Sequence, residues 1–514
     1  MFKHLLSVSL FTLLSRVTGF ARDIILARAL GAGLIADAFV VAFRLPNHFR
    51  AIFGEGAFNA AFVPTYSRTL EQEGAETATR FAGHVNAWLL LSQIVLLALA
   101  WVFTPQLVRL LAPGFADEPA KFALTVALTR VTFPYLLCVT LVTLHSGVLN
   151  ANRRFAAAAF APVLLNLSMI AALALAFLFP NAGFAAAVGV LVAGLLELAL
   201  VTGAARRIGA LAPLSRPALS EQVKHFFKVL VPAVIGSAGV QIAIFADTII
   251  GSFLPTGGPS SIYYADRIYQ LPIGVLGVAA GTVLLPEMSR RLAAGDEGAA
   301  FHAQNRTMAL TIALAAPFFV AFLTIPDAIM RGVFRHGAFT EADALASAAV
   351  LAAYGLGLPA VLLIRSAVAS FQARGDTMTP MVVSLVAVAI NVALKIAFWK
   401  QYGAPALAAA TAVGAWINVA LLTGLALKRG WMKPDGTLAR VALATVVAAA
   451  ALTAVAIFAR GPIEDYGRQF GVLARLVDLA ILGALGAAIY AGVLAVALLA
   501  LKVRLARVKP TKTE

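Results

Sequence analysis

Two arginines lie inside an apolar segment near the start of the chain. Arg16 and Arg22 stand in the run SRVTGFARD, between LLSVSLFTLL and IILARAL. A charge at the centre of a bilayer costs about 2.5–3.5 kcal/mol on insertion scales, so a charge kept there usually serves a function. A guanidinium group stays charged at physiological pH and binds a phosphate through two parallel hydrogen bonds. The pattern predicts recognition of a polyanion at membrane depth.

The next apolar segment carries further charges, and positive charge is in excess. The arginines of the first two segments are Arg16, Arg22, Arg28, Arg44 and Arg50, and the acids are Asp23, Asp37 and Glu55. For Arg28 and Arg44, snorkelling to a headgroup or pairing with a neighbouring acid explains the charge as well as substrate binding does. Arg16 and Arg22 fit that alternative less well, because pairing leaves unbalanced positive charge.

A polar stripe recurs in the run SSIYYADRIYQLP. Tyr263, Arg267 and Gln270 fall at i, i+4 and i+7, on one face of a helix. Asp266 is the neighbour that neutralises Arg267 in the alternative interpretation. If the stripe and the first two segments line one chamber, Arg16, Arg22, Arg50 and Arg267 form a phosphate cradle.

A second polar set lies in other apolar segments. Asp247 is separated from Lys395 by more than a hundred residues, and Asn391 and Thr411 lie near Lys395 in the predicted helices. A neutral ion pair between helices is the favoured interpretation, and a cation-coupling site is the alternative.

Composition places the chain in a membrane. The 514 residues are 61% hydrophobic and 12% charged, with a mean hydropathy of +0.89. A helix needs about 20 apolar residues to cross the hydrocarbon core, and the long Leu, Ala and Val runs lack the alternation of a barrel strand. The prediction is an all-α polytopic membrane protein with about 14 transmembrane helices. A single cysteine, Cys138, excludes an internal disulfide.

Loop charges predict the topology. With the N-terminus in the cytoplasm, most loop lysines and arginines fall on the cytoplasmic side, as the positive-inside rule requires. The opposite loops hold only Lys121, Arg331, Arg335, Lys400, Arg460 and Arg468. Both termini are therefore predicted to be cytoplasmic. This placement accounts for much of the net charge of +16 without a nucleic-acid partner.

The chain contains an internal repeat. AAFVPTYSRTL and TVLLPEMSRRL align Pro64 with Pro286 and Arg68 with Arg290 at one spacing, and other matches follow in the same order. Two pseudo-symmetric six-helix lobes around a central cavity are predicted, as alternating access requires. We assign residues 1–215 to the N-terminal lobe, 216–430 to the C-terminal lobe, and 431–514 to two extra helices with a basic cytoplasmic tail.

Enzymatic motifs are absent from the sequence. It contains no HExxH, no GxxxxGK[ST], no paired cysteine ligands and no GxSxG. We therefore expect no catalytic residue, no cofactor and no metal site, and a transporter rather than an enzyme.

Several long motifs resemble those of the MurJ (MviN) family. They are SRVTGFARD, LGAGLIADAFVVAFRLPNHFRAIFGEGAFNAAFVP, APGFAD, FAPVLLNLSM and YYADRIYQLPIGVLGVAAGTVLLP. The resemblance implies a fourteen-helix, two-lobed flippase that moves lipid II, the lipid-linked peptidoglycan precursor, from the cytoplasmic to the periplasmic leaflet of the bacterial inner membrane. It also implies a role in cell-wall biogenesis and cell shape. The implied partners are lipid II and membrane lipids, and other cell-wall synthesis proteins are further candidates.

The resemblance also assigns residues. By motif, Arg16, Arg22, Arg50 and Arg267 match the arginines that the family requires, and Asp37 and Glu55 match its acidic positions. The expected substrate-binding residues are these six together with Tyr263, Asp266 and Gln270. Gln270 stands where some members have an acid. Lys395 stands where relatives with a sodium site have an acid on the eleventh span, so the pair Asp247 and Lys395 is expected to replace sodium.

Alternative functions remain open at this stage. A cation-coupled multidrug exporter of the same superfamily predicts more acids than arginines in the cavity, and the first two spans show the reverse. A flippase for another polyprenyl-pyrophosphate glycan is harder to separate, because a phosphate cradle does not read the sugar. A membrane scaffold without transport activity has no reason to keep unpaired charge.

Overall fold

The computed structural model describes residues 2–50 and 57–503, and the regular structure of these ranges is helical. Helices suit the sequence because every backbone N–H and C=O must find a partner within the segment when water is excluded. The helices are α1 (Phe2–Leu30), α2 (Leu34–Arg50), α3 (Ala57–Gln72), α4 (Ala75–Val102), α5 (Thr104–Leu111), α6 (Pro119–Thr132), α7 (Pro134–Ala151), α8 (Phe155–Ala174), α9 (Ala182–Arg207), α10 (Glu221–Ser252), α11 (Gly258–Pro272), α12 (Val278–Ala293), α13 (Glu297–Thr324), α14 (Pro326–Phe334), α15 (Glu341–Gly355), α16 (Leu358–Gln372), α17 (Met378–Tyr402), α18 (Ala404–Lys428), α19 (Gly436–Phe458), α20 (Arg460–Gly467) and α21 (Ala474–Ala500).

Ten spans in the described ranges are long and apolar enough to cross a membrane. Two of them, Pro119–Ala151 and Glu341–Gln372, are helix pairs, and the other eight are the single helices α4, α8, α9, α13, α17, α18, α19 and α21. The chain is therefore an all-α, multi-pass membrane protein, as predicted. The predicted number of about fourteen is consistent with these ten spans of the described residues.

The helix order repeats along the chain. Helices α4 and α13 both have 28 residues, and each is followed by a short helix, α5 or α14. A helix pair comes next in each half, α6 with α7 and α15 with α16, and then two long helices. The order and lengths agree with the duplication predicted from Pro64 and Pro286.

Contacts divide the chain into two compact units. The first comprises Met1–Tyr263 with His336–Asp343, and the second comprises Tyr264–Arg335 with Ala344–Glu514. The first unit thus contains α10 and the start of α11 as well as all helices before residue 216. This division follows packing, whereas the lobes predicted at residues 215 and 430 follow the sequence repeat and remain a prediction.

Local features shape the helices that carry the predicted site. Pro46 lies inside α2, and Pro272 ends α11 before a π-helical turn at Ile273–Gly277. A proline removes one backbone donor and bends a helix, and a π turn widens it. Gly31 and Gly257 precede α2 and α11 with φ of 65° and 93°. This left-handed conformation favours glycine, so both helices begin after an abrupt change of chain direction.

Candidate functional site: charged side chains of the polar helices

Arg22 is buried, and each of its three guanidinium nitrogens donates a hydrogen bond. Its Nε and Nη2 donate to Asp23 Oδ1 at 3.0 and 2.7 Å, and its Nη1 donates to Asn166 Oδ1 at 3.0 Å. Only 9% of Arg22 is exposed. The adjacent carboxylate offsets the cost of the buried guanidinium, so the pairing alternative describes Arg22 in this structure.

Asn166 joins Arg22 to the middle of α1. Its Nδ2 donates to the carbonyl oxygen of Ser15 and to Thr18 Oγ1, at 2.9 and 3.1 Å. Gly19 packs against the same amide, and a Cβ at that position would lie 3.4 Å from Asn166 Nδ2, an ordinary van der Waals distance. The asparagine side chain is therefore fixed at both ends and holds the guanidinium in one orientation.

Tyr263 contacts the same carboxylate. Its hydroxyl donates to Asp23 Oδ1 at 3.0 Å, which connects the start of α11 with α1. Of the predicted polar stripe, Tyr263 thus lies with the arginine cluster of the first two helices.

The other arginines of α1 and α2 differ from Arg22. Arg16 and Arg28 are exposed, and Arg44 Nη1 donates to Thr248 Oγ1 at 3.2 Å. Within the described part of the chain, Arg16, Arg28 and Arg44 form no ion pair. Arg50 ends α2, but its side chain lies outside the described residues, and so does all of Glu55.

Asp37 is fully buried and bound to protein groups. Its carboxylate accepts hydrogen bonds from the backbone N–H of Gly257 and Ser260 and from Ser260 Oγ, at 2.7 to 2.9 Å. Lys121 Nζ lies 3.1 Å from Asp37 Oδ2. Because Asp37 is paired with Lys121, it does not neutralise an arginine of α1 or α2. The positive charge of these two helices is therefore less balanced than a count of their charged residues indicates.

Arg267, Asp266 and Gln270 form a contiguous polar group on α11. Arg267 Nη2 donates to Asp266 Oδ2 at 3.1 Å, and Gln270 Nε2 donates to the same oxygen. The Arg267 side chain is 31% exposed. The stripe predicted for Arg267 and Gln270 is thus one hydrogen-bonded face of the helix.

The residues of the second polar set lie on α10, α17 and α18. Asp247 is half-buried in α10 of the first unit, and Lys395 is 1% exposed in α17 of the second. Asn391 is half-buried, and Thr411 donates to the carbonyl oxygen of Leu407 at 3.0 Å. The ion pair and the coupling site remain predictions. The described residues contain no group of three or more His, Cys, Asp or Glu side chains placed to hold a metal ion.

Two functional candidates escaped the sequence analysis. Asn166 and Ser168 are the two polar residues in the apolar run FAPVLLNLSM, and the amide of Asn166 was the available signal. Lys121 was counted as an exposed loop charge, but its side chain is fully buried. The run EPAK indicates a helix start there, and it does not indicate the distant partner.

Comparisons with known proteins agree with one another. The family described as "Lipid II flippase MurJ" matches residues 26–474. A "Probable lipid II flippase MurJ" of Rhizobium meliloti is 41% identical over 87% of this chain and 84% of its own length. The "Lipid II flippase MurJ" of Burkholderia cenocepacia is 34% identical over 96% and 97%.

Solved structures with this fold include transporters of two kinds. The chain described as "Lipid II flippase MurJ, inward closed conformation" has a TM-score of 0.79 and 25% identity, over 96% of this chain and 99% of that one. A multidrug resistance MATE family transporter in an inward-facing conformation has a TM-score of 0.66 and 14% identity, over 81% and 94%. The second likeness shows the fold alone.

Proposed function

The chain belongs to the MurJ family, and we propose that it moves lipid II from the cytoplasmic to the periplasmic leaflet of the bacterial inner membrane by alternating access. The observation that carries this proposal is the match of the family over residues 26–474, with relatives of that name aligned over 84% and 97% of their length. Both termini lie in the cytoplasm in this proposal, as the loop charges predict.

The pyrophosphate of the substrate is held by arginine side chains in this proposal. Arg16, Arg22, Arg50 and Arg267 are the candidates. Support comes from the charge balance of α1 and α2, where Arg16, Arg28 and Arg44 form no ion pair in the described residues and Asp37 is bound to Lys121. Each arginine presents a planar fork that matches two phosphate oxygens.

Two arginines already have a carboxylate neighbour, and this fits a site that stands empty for part of each cycle. A guanidinium at membrane depth needs a counter-charge when no substrate is bound. Asp23 and Asp266 supply it next to Arg22 and Arg267. The exposed Arg16 then provides the net attraction for the incoming anion, and Tyr263, Asp266 and Gln270 are further candidates for hydrogen bonds to the substrate.

The membrane potential drives transport in this proposal. With the cell interior negative, outward movement of an anion gains about 2.3 kcal/mol per charge per 100 mV. The polyprenyl tail remains in the lipid beside α19 and α21 while the headgroup crosses. In this proposal, the fixed positive charge of Lys395 takes the part of a coupling cation.

Complementation tests the function. A strain depleted of its own lipid II flippase should grow when this chain is expressed, and labelled lipid II should move across vesicles that contain it. If the vesicles did not move lipid II but moved another polyprenyl-pyrophosphate glycan, the protein would be a flippase for that glycan and the proposed substrate would be wrong.

A further inference from the structure

Four connecting segments that the topology predicts on the extracytoplasmic side meet within the first compact unit. They are the turns after α1, α5, α10 and α14. The backbone N–H of Gly114 donates to Ser252 Oγ at 3.0 Å, and the backbone N–H of Ala338 donates to the carbonyl oxygen of Arg28 at 2.8 Å. Each of these contacts joins one sequence repeat to the other.

One part of this meeting point is a charged cluster, here named the clasp, with the residues Asp37, Glu118, Lys121, Thr256, Gly257 and Ser260. Asp37 lies in the first turn of α2 and caps the first turn of α11 through Gly257 and Ser260. A carboxylate at a helix N-terminus satisfies free N–H groups and interacts favourably with the helix dipole. Asp37 therefore fixes where α11 begins.

Lys121 holds Asp37 from the other side. Its Nζ lies 3.1 Å from Asp37 Oδ2 and 3.4 Å from Glu118 Oε1, and it donates to Thr256 Oγ1 at 3.2 Å. Thr256 Oγ1 in turn donates to Glu118 Oε2 at 2.8 Å. The ammonium also lies 4.4 Å from the centre of the Phe115 ring.

The equivalent place in the second repeat has different chemistry. Lys121 is the third residue of α6, and Asp343 is the third residue of α15. Asp343 Oδ2 accepts from the backbone N–H of Ala32 at 3.3 Å and of Thr340 at 2.8 Å. One repeat thus closes through a buried ion pair together with hydrogen bonds from backbone N–H groups to Asp37, and the other closes through hydrogen bonds from backbone N–H groups to Asp343.

We propose that Lys121 is a positioning residue that acts through Asp37 to hold the first turn of α11 and keep the extracytoplasmic ends of α2, α6 and α11 together. This inference rests on the proposed transport function, because release of the substrate on that side requires the clasp to open once in each cycle. Asp37 then serves closure in this conformation, and its carboxylate is not available to the substrate until the clasp opens.

Hydrogen exchange of the full-length protein tests the clasp without any substrate. In Lys121→Met, a buried Asp37 charge loses its partner, so the backbone amides of Gly257 and Ser260 should exchange at least tenfold faster. Peptides from α9 should exchange as in the wild type, because the effect is local. The matched control is Lys224→Met, which removes an exposed lysine from its pair with Glu221 and should leave the exchange of Gly257 and Ser260 unchanged.

The double variant Asp37→Asn with Lys121→Met separates the clasp from a simple loss of folding. It removes both charges of the buried pair, and the asparagine oxygen can still accept hydrogen bonds from the backbone N–H groups of Gly257 and Ser260. Its Gly257 and Ser260 amides should exchange more slowly than in Lys121→Met alone. Unchanged exchange in the single variant, or a double variant that exchanges as fast as the single one, would overturn the inference. Failure of the wild type to move lipid II would instead contradict the proposed function and leave these exchange rates as they are.

Discussion

Two arginine and aspartate pairs of adjacent residues occupy the polar helices, and they differ in burial. Arg22 and Asp23 have side chains that are 10% and 5% exposed, whereas Arg267 and Asp266 are 31% and 26% exposed. Arg22 is also fixed by Asn166, and Asp23 by Tyr263. The same two residue types thus serve two purposes. The first pair is part of the packed structure of its unit, and we propose that the second, more exposed pair can exchange its carboxylate for a phosphate.

The largest effect is expected for Arg22→Ala. Removal of one partner leaves a buried carboxylate, which costs about 3–5 kcal/mol in comparable buried pairs, so the variant should lose thermal stability as well as transport. The double variant Arg22→Leu with Asp23→Asn should regain stability without transport. Thermal unfolding in detergent and lipid II movement in vesicles measure the two effects. Equal stability of the single variant and the wild type would show that the pair is not structural.

Arg267→Ala should separate the two effects. This pair is more exposed than Arg22 and Asp23, so the free energy of unfolding should change less than in Arg22→Ala, while lipid II movement should be lost. Arg267→Lys keeps the charge and loses the planar fork, and it should restore transport only in part. Normal transport by Arg267→Ala would show that Arg267 does not bind the phosphate, and the two pairs would then not differ in function.

Asn166→Ala should have an intermediate effect. It leaves Arg22 paired with Asp23 but removes the amide that orients the guanidinium, and the loss of a buried hydrogen-bond partner costs about 1–3 kcal/mol. We expect a lower unfolding temperature and slower transport, with the protein still inserted. Asn166→Asp adds a second acid beside Arg22 and should slow transport further. The same transport rate in both variants as in the wild type would show that Arg22 needs no orientation.

The smallest effect is expected for Arg80→Ala, which serves as the control for positive charge as such. Arg80 is 60% exposed and lies 3.7 Å from Glu76 on α4. Exposed helix pairs contribute about 0.3–0.5 kcal/mol. Growth in the complementation assay and the unfolding temperature should both match the wild type. A defect as large as that of Arg267→Ala would mean that overall charge, and not a defined site, governs transport.

The sequence sufficed for the membrane class, the helices and the repeat, because these depend on local composition and on matches at one spacing. The pairing of Arg22 with Asp23 was also within reach, since the residues are adjacent. The partners Asn166 and Lys121 were not predictable in the same way, because they lie far along the chain from Arg22 and Asp37. Lys121 resembles a solvated loop lysine until its neighbours are known, so the sequence does not reveal that Asp37 is paired with it and caps α11.

The most direct test of the account is the affinity of the purified protein for lipid II in the wild type and in Arg16→Ala, Arg267→Ala and Arg80→Ala. The account predicts that each of the first two variants weakens binding at least tenfold, which corresponds to about 1.4 kcal/mol, and that added salt reduces the difference. Arg80→Ala should bind as the wild type does. Equal affinity in all four proteins would contradict the claim that guanidinium groups hold the pyrophosphate.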